Sequence, residues 1–300
     1  MFLSYSSVLP YKIENINYLH NLPNLYMIHV KFYKQKEEPA KVSNVIEEVV
    51  EKILHAYDTK EPIPFIHDQY DIDEDLGYAI QDALIKKQCK RQNIQVAGYK
   101  ISMTTPETQA IAGVNEPAYG TLLTTNLIKS GDTLSLSDLF SPLIETEIMF
   151  ILQEDLSPDA DVNEVLQKSK LAAGIEIPDA RYINWFPNFK LADLLSDNTA
   201  TGFVVISDVI KPLTYEQLAN VKMELFHNDE KIAEGVSSAV LGNPVDAVIW
   251  LAQKLAKHDK QLKKGMVISS GTFISPPVVK EGTYTVTYTN IGEAKITFVK

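Results

Sequence analysis

The chain has 300 residues, 45% hydrophobic and 22% charged, a balance that supports a sizeable core and excludes general disorder. With 28 Lys and Arg against 39 Asp and Glu, the net charge of -11 repels phosphate backbones and anionic lipid, so neither nucleic acid nor a membrane is expected as a partner. One cysteine, Cys89, cannot close an internal disulfide, and the apolar runs 202–206 and 247–252 fall far short of the roughly 20 residues of a membrane span, so a cytoplasmic protein is expected.

Residues 1–40 read as an extension of unknown role. The first thirty are rich in Asn, Tyr and Leu without periodicity, and 31–41 is a charged, linker-like stretch containing Pro39. No basic start precedes an uninterrupted apolar core, so no secretory signal is expected, and a start nearer Met27 is the alternative. Residues 41–300 are expected to form one domain, helical over 41–95 and β-rich over 96–300. Asn44, with Glu47 three residues on, marks a helix start, and Val45, Val49, Ile53 and Tyr57 keep one apolar face. Pro62 and Pro64 break the chain. A second helix is predicted over 73–92, with Leu76, Ile80 and Leu84 buried.

Strands are then predicted over 96–103, 143–152, 175–177, 203–207 and 222–226. Asn228-Asp229 makes a hairpin tip before 231–240. Asn243 caps a helix opened by Pro244, with Val245, Val248, Ile249, Ala252 and Leu255 at helical spacing. Strands at 267–270, 283–289 and 295–299 complete the order. Helices come first and a mostly β body with embedded helices follows, which argues an α+β fold.

Residues 143–152 carry the most chemical information. In a strand Glu145 and Glu147 point to the same face, within a run that is otherwise almost wholly apolar. Neighbouring carboxylates there either form the wet face of an edge strand or share a hard divalent ion with oxygen ligands. Glu176, again flanked by aliphatics, is a third ligand or the partner of a salt bridge to Arg181. Three acidic ligands leave open positions on Mg²⁺ or Mn²⁺ for water and a chelating substrate. Lys100, the only charge in 96–103, either snorkels to the surface or enters a polar site as a carboxylate binder or acid–base group. Residues 196–202 are a polar cluster or a plain turn. The six His show no metal-ligand spacing, and no phosphate loop, Walker motif or nucleophile elbow is present.

These segments resemble, in order, a known family: the 2-keto-4-pentenoate hydratases and related 2-oxo-hexenedioate decarboxylases of the fumarylacetoacetate hydrolase superfamily. The likeness runs from about Val45 to Lys300. It rests on Gly98-Tyr-Lys-Ile-Ser-Met-Thr104, Gly113-Val-Asn-Glu-Pro-Ala-Tyr-Gly120, Ile144-Glu-Thr-Glu-Ile148 and Glu176-Ile-Pro-Asp-Ala-Arg-Tyr182. It continues through Asp193-Leu-Leu-Ser-Asp-Asn-Thr-Ala-Thr-Gly202, Leu241-Gly-Asn-Pro244, Ser270-Gly-Thr272 and Asn290-Ile-Gly292.

The resemblance implies a mixed β roll with N-terminal and peripheral helices, a homo-oligomer and a Mg²⁺ or Mn²⁺ site. It implies a small 2-oxo acid substrate, a 2-hydroxy-2,4-dienoate or 2-oxo-enoate, to which water is added. Decarboxylation, acylpyruvate hydrolysis and non-catalytic binding of metal or 2-oxo acid are the alternatives. By position, Glu145, Glu147 and Glu176 would be ligands, Lys100 the substrate-binding or acid–base group, and Asp197 and Asn198 pocket-lining residues. Asp193 favours the hydratase branch. Departures from the family pattern are Asn115 and Ala118 where Asp is usual, Ser102 and Met103 for Gly-Leu, and Thr199 and Thr201 for Ala and Ser. The first two would remove an acidic proton-transfer partner.

Overall fold

The computed structural model describes residues 39–300, so nearly all of the expected 1–40 extension lies outside the described residues. Ile46–Lys300 forms one compact unit, which holds every strand among the described residues. Helix α1 (Pro39–Thr59) begins before the predicted cap at Asn44. Pro39 starts it because a fixed φ favours the first helical position, where the missing N–H is not needed. Its Val49, Val50, Ile53, Leu54 and Ala56 are buried. Helix α2 (Glu74–Gln92) follows the prediction: Asp73 Oδ1 accepts from the Leu76 N–H at 3.0 Å, and Asn93 ends the helix in the left-handed region. Ile80 and Leu84 are buried, whereas Leu76 is only half-buried.

Next come β1 (Val96–Ser102), α3 (Pro106–Ala112), β2 (Ala118–Leu123), β3 (Leu127–Lys129) and β4 (Thr133–Ser135). β5 (Glu145–Leu152), α4 (Val162–Lys168), β6 (Ser169–Ile177), α5 (Leu191–Ser196), β7 (Phe203–Ile206) and α6 (Tyr215–Leu218) form the middle. β8 (Lys222–His227), β9 (Glu230–Val236), α7 (Pro244–Lys257), β10 (Val267–Ser269), β11 (Gly282–Tyr288) and β12 (Gly292–Val299) complete the chain. The hairpin tip at Asn228-Asp229 is present, both residues with positive φ, and Asn243 Oδ1 caps α7 by accepting from Val245 N–H at 3.0 Å.

The strands form two sheets. The larger runs β2-β1-β10-β5-β6-β7-β3 and the smaller β4-β12-β11-β8-β9. Tyr288 of β11 ties them, its hydroxyl donating to the Gly174 carbonyl of β6 at 2.8 Å. β6 is longer than the predicted 175–177, because Ala172, Ala173 and Gly174 carry little strand preference yet lie fully buried between β5 and β7. The core on one face of the larger sheet gathers Leu122, Met149, Ala172, Val204 and Val267.

Candidate active site

Register builds the site. β5 and β6 pair antiparallel, with Glu145 opposite Glu176 and Glu147 opposite Gly174. Alternation places Glu145 and Glu147 on one face, and a directly opposed residue shares that face, so Glu176 joins them. One carboxylate oxygen from each lies within 4.8 Å of the others. On the far side of β5, Ser269 of β10 is level with Met149, and Lys100 of β1 is level with Ser269. Met149 is two residues beyond Glu147, so Ser269 and Lys100 project to the glutamate side. Lys100 Nζ sits 2.9 Å from Glu176 Oε1, both side chains 1% exposed. Lys100 therefore does not snorkel, and the partner of Glu176 is Lys100 rather than Arg181.

One ammonium faces three carboxylates, so the cluster is short of positive charge. Burial and the Glu176 charge push the Glu145 carboxyl up to about 8, against the pull of Lys100. Glu145 is partly open through a cavity and enclosed by protein elsewhere. Glu147 is pushed well above the ordinary value, first by burial and then by Glu176 and Glu145. That holds although its Oε2 accepts from Ser269 Oγ at 2.5 Å and Gly271 N–H at 2.8 Å. Burial alone would lower Lys100, but the charges of Glu176, Glu145 and Glu147 outweigh it and the net shift is upward.

Glu147 Oε1 and Glu176 Oε2 are buried without a hydrogen-bond partner. Buried carboxylate oxygens lacking donors are unfavourable unless a cation joins them, and an all-oxygen donor set suits a hard divalent ion. The residues fit Mg²⁺ or Mn²⁺. Gly271 makes the loop that supplies the Glu147 N–H donor possible: its φ is +116°, and a Cβ there would meet Thr104 Oγ1 at 2.4 Å.

No family model matches the chain. It is 32% identical over 240 residues to a 2-keto-4-pentenoate hydratase of Paraburkholderia xenovorans, spanning 79% of this chain and 88% of that protein. The chain belongs to the 2-keto-4-pentenoate hydratase family. It is also 31% identical over 231 residues to the 2-oxo-hept-4-ene-1,7-dioate hydratase of Escherichia coli, covering 74% and 86% of the two chains. Among solved structures, 4-oxalocrotonate decarboxylase from Pseudomonas putida G7, complexed with magnesium and adipate, superposes with TM-score 0.77 at 23% identity. The match covers 86% of this chain and 98% of that one. Fumarylpyruvate hydrolase from Pseudomonas aeruginosa, in complex with Mn²⁺ and pyruvate, gives 0.53 at 12% identity, over 67% and 88%. At these identities the likeness establishes the fold alone.

The family motifs meet the cavity unevenly. Lys100 and Glu145 are its charged lining, joined by Ser102, Met103, Thr199 and Ala200. Asp197 and Asn198, expected on the pocket wall, are engaged elsewhere. Asp197 accepts from Arg181 Nε at 2.6 Å and from the Arg181 backbone N–H at 2.8 Å. Asn198 Oδ1 accepts from the Thr121 N–H at 2.7 Å while its Nδ2 donates to the Thr121 carbonyl at 2.8 Å. Both side chains satisfy buried groups of the scaffold, whereas Thr199 and Ala200 of the turn, with Leu194 of α5, reach the cavity. Asn198, Thr199 and Ala200 have φ of 50°, 56° and 53°, three left-handed residues in succession. That conformation is strained for a β-branched Thr. It is held by Thr199 Oγ1 donating to the Tyr119 carbonyl at 2.7 Å. Gly120 leaves the room, since a Cβ there would stand 2.6 Å from the Asn198 carbonyl oxygen.

Asp193, whose motif position favours the hydratase branch, is a structural hub. Its carboxylate accepts from the backbone N–H of Lys190 at the start of α5 and from the His67 N–H, and His67 Nδ1 lies 2.5 Å from Oδ2. The departures at Asn115 and Ala118 fall outside the cavity lining, Asn115 exposed and Ala118 buried in β2, so they remove no acidic group from it. Sequence reading missed the aromatic wall, Trp185, Phe186 and Phe189. The available signal was the density of rings in Trp185-Phe-Pro-Asn-Phe189 between two predicted elements.

Proposed function

We propose that the protein is a metal-dependent hydro-lyase that adds water to a 2-hydroxy-2,4-dienoate, or its 2-oxo-enoate tautomer, to give a 4-hydroxy-2-oxo acid. The observation that carries this reading is the Glu145, Glu147 and Glu176 cluster beside Lys100, open to a cavity, in a chain of the hydratase family. The three glutamates would hold Mg²⁺ or Mn²⁺, which when bound supplies an anchor for the substrate carboxylate and 2-oxo oxygens and stabilises negative charge developing on the latter.

Lys100 is the cation contributed by the chain itself. Glu176 fixes its ammonium on one side, and an ammonium with three N–H donors would use another to hold the substrate carboxylate or deliver a proton. The strained turn at 198–200 and the aromatic wall close the cavity around the reacting carbons, and the low dielectric there strengthens each charge contact. Asp197 and Asn198 act by positioning that turn.

Turnover of 2-hydroxypenta-2,4-dienoate with Mg²⁺ or Mn²⁺, followed by loss of dienol absorbance, tests the reading. Activity should vanish with a chelator and return with added metal. Absence of turnover on a panel of 2-oxo acids sinks the proposal. Release of CO₂ or cleavage of an acylpyruvate would replace hydration by the corresponding chemistry.

A further inference from the structure

The hydratase reading leaves the far end of the substrate undefined, and the following inference rests on that reading. Lys100 and Glu145 are the only charged residues of the cavity lining among the described residues. The remainder is dominated by Ile111, Leu143, Trp185, Phe186, Phe189 and Leu194. Ser102, two residues after Lys100 on β1, and Thr104, packed against Gly271, stand at the glutamate end of the cavity, and the other polar side chains of the wall are already engaged. Trp185 Nε1 donates to the Ser141 carbonyl at 2.8 Å, so its ring offers the cavity only carbon. The hydroxyls of Thr108, Thr199 and Thr272 donate to the carbonyls of Thr105, Tyr119 and Ile274 at 3.0, 2.7 and 3.2 Å. Beyond the glutamate end, a second carboxylate on the substrate would find no cation and no unengaged side-chain donor, and would be desolvated against hydrocarbon.

We infer that this wall receives an uncharged hydrocarbon substituent on the distal carbon of the dienoate. The favoured substrates are thus monocarboxylic acids with an alkyl or aryl tail, and dicarboxylic dienoates are rejected. Burial of each added methylene raises kcat/KM roughly three- to fourfold until the wall is covered.

The test is a series of 2-hydroxy-2,4-dienoates bearing hydrogen, methyl, propyl, phenyl or carboxylate at the distal carbon, assayed on the Mg²⁺-loaded protein. The expected order rises from hydrogen through propyl and phenyl, with carboxylate at least ~100-fold below propyl. A best rate with carboxylate, or with hydrogen over every tail, overturns the inference. Phe186→Arg and, separately, Ile111→Lys place a cation on the wall and should shift the carboxylate-to-propyl ratio at least ~10-fold toward carboxylate. An unchanged ratio in both overturns it as well. Calorimetric binding of 2-oxohexanoate against 2-oxoadipate separates this inference from the hydratase reading. Tighter binding of 2-oxohexanoate without turnover of any dienoate keeps the tail site and discards the hydratase. Tighter binding of 2-oxoadipate, or binding of neither, discards the tail site.

Discussion

Glu176 divides its two oxygens, Oε1 facing Lys100 at 2.9 Å and Oε2 left without a donor. A bound cation and Lys100 would therefore share one carboxylate. Lys100→Met keeps most of the side-chain volume and removes the charge. Turnover should fall at least ~100-fold, the low end for a positioned acid–base group. Mn²⁺ affinity should rise, because a positive charge leaves the neighbourhood of the ion. Calorimetry beside steady-state kinetics reads both, and unchanged turnover would remove Lys100 from the mechanism. Glu145→Gln or Glu147→Gln should abolish tight Mn²⁺ binding yet leave a folded protein with a higher metal-free melting temperature. Both carboxyls are raised by burial and by their neighbours, so an uncharged amide relieves the repulsion. Retained affinity in both variants would contradict the ligand assignment. These residues are legible in the sequence because acidic side chains alternating within an apolar strand have few physical explanations. Asp197 and Asn198 are not, since a turn former that binds backbone and one that faces a substrate have the same local sequence.

At the scale of elements, the turn after α5 depends on one amide. Asn198 satisfies both backbone groups of Thr121 on β2. Asn198→Ala should lower stability by about 2–4 kcal/mol, the loss expected when a buried donor and a buried acceptor are left unpaired. Activity should fall in parallel with the melting temperature; activity loss at unchanged stability would instead mark direct contact with the substrate.

A second dependence links α7 to β2. His258, at the C-terminal cap of α7, has Nδ1 2.7 Å from the Tyr119 hydroxyl. Burial, then Lys260 and Lys254, hold its pKa below the usual value against the opposing Asp82 and Glu74. The unfolded chain then takes up the proton more readily than the folded one, so this contribution is complete above the ordinary histidine pKa and is lost as pH falls through it. The melting temperature should drop between about pH 7.5 and about pH 5.5, and His258→Gln should flatten that drop. An equal drop in the variant would assign the dependence to other groups. α2, β5 and α7 are legible because caps and long periodic runs announce them. β2 and α5 are not: β2 is buried along its whole length but begins after Pro117 and contains Gly120, and α5 spans Leu191–Ser196, too short to show a period.

For the molecule as a whole, the α+β order can be read from the sequence but the sheet order cannot. β1 pairs with β10 in parallel, Gly98 level with Val267, and so distant a pairing leaves no local mark. No helix among the described residues is long and apolar enough to cross a membrane. A chain beginning at Pro39 should melt within about 2 °C of the full chain and bind Mn²⁺ equally well, since every proposed ligand lies in the unit Ile46–Lys300. A larger drop would give residues 1–38 a part in stability. Deletion through Thr59 should prevent folding, because it strips Val49, Val50 and Ile53, all fully buried, and each such loss costs about 2–5 kcal/mol.

Pairing Glu145 with Glu176 across β5 and β6 would also give a bound ion a part in choosing the fold. If β5 slipped by one residue, Thr146 and Ile148 would occupy the glutamate face and the carboxylates would turn to the other side of the sheet. A mispaired chain therefore offers no triangle of oxygens, and the free energy of ion capture, about 2.7 kcal/mol at a hundredfold excess over Kd, accrues to the correct register alone. A bound ion would proofread the strand alignment.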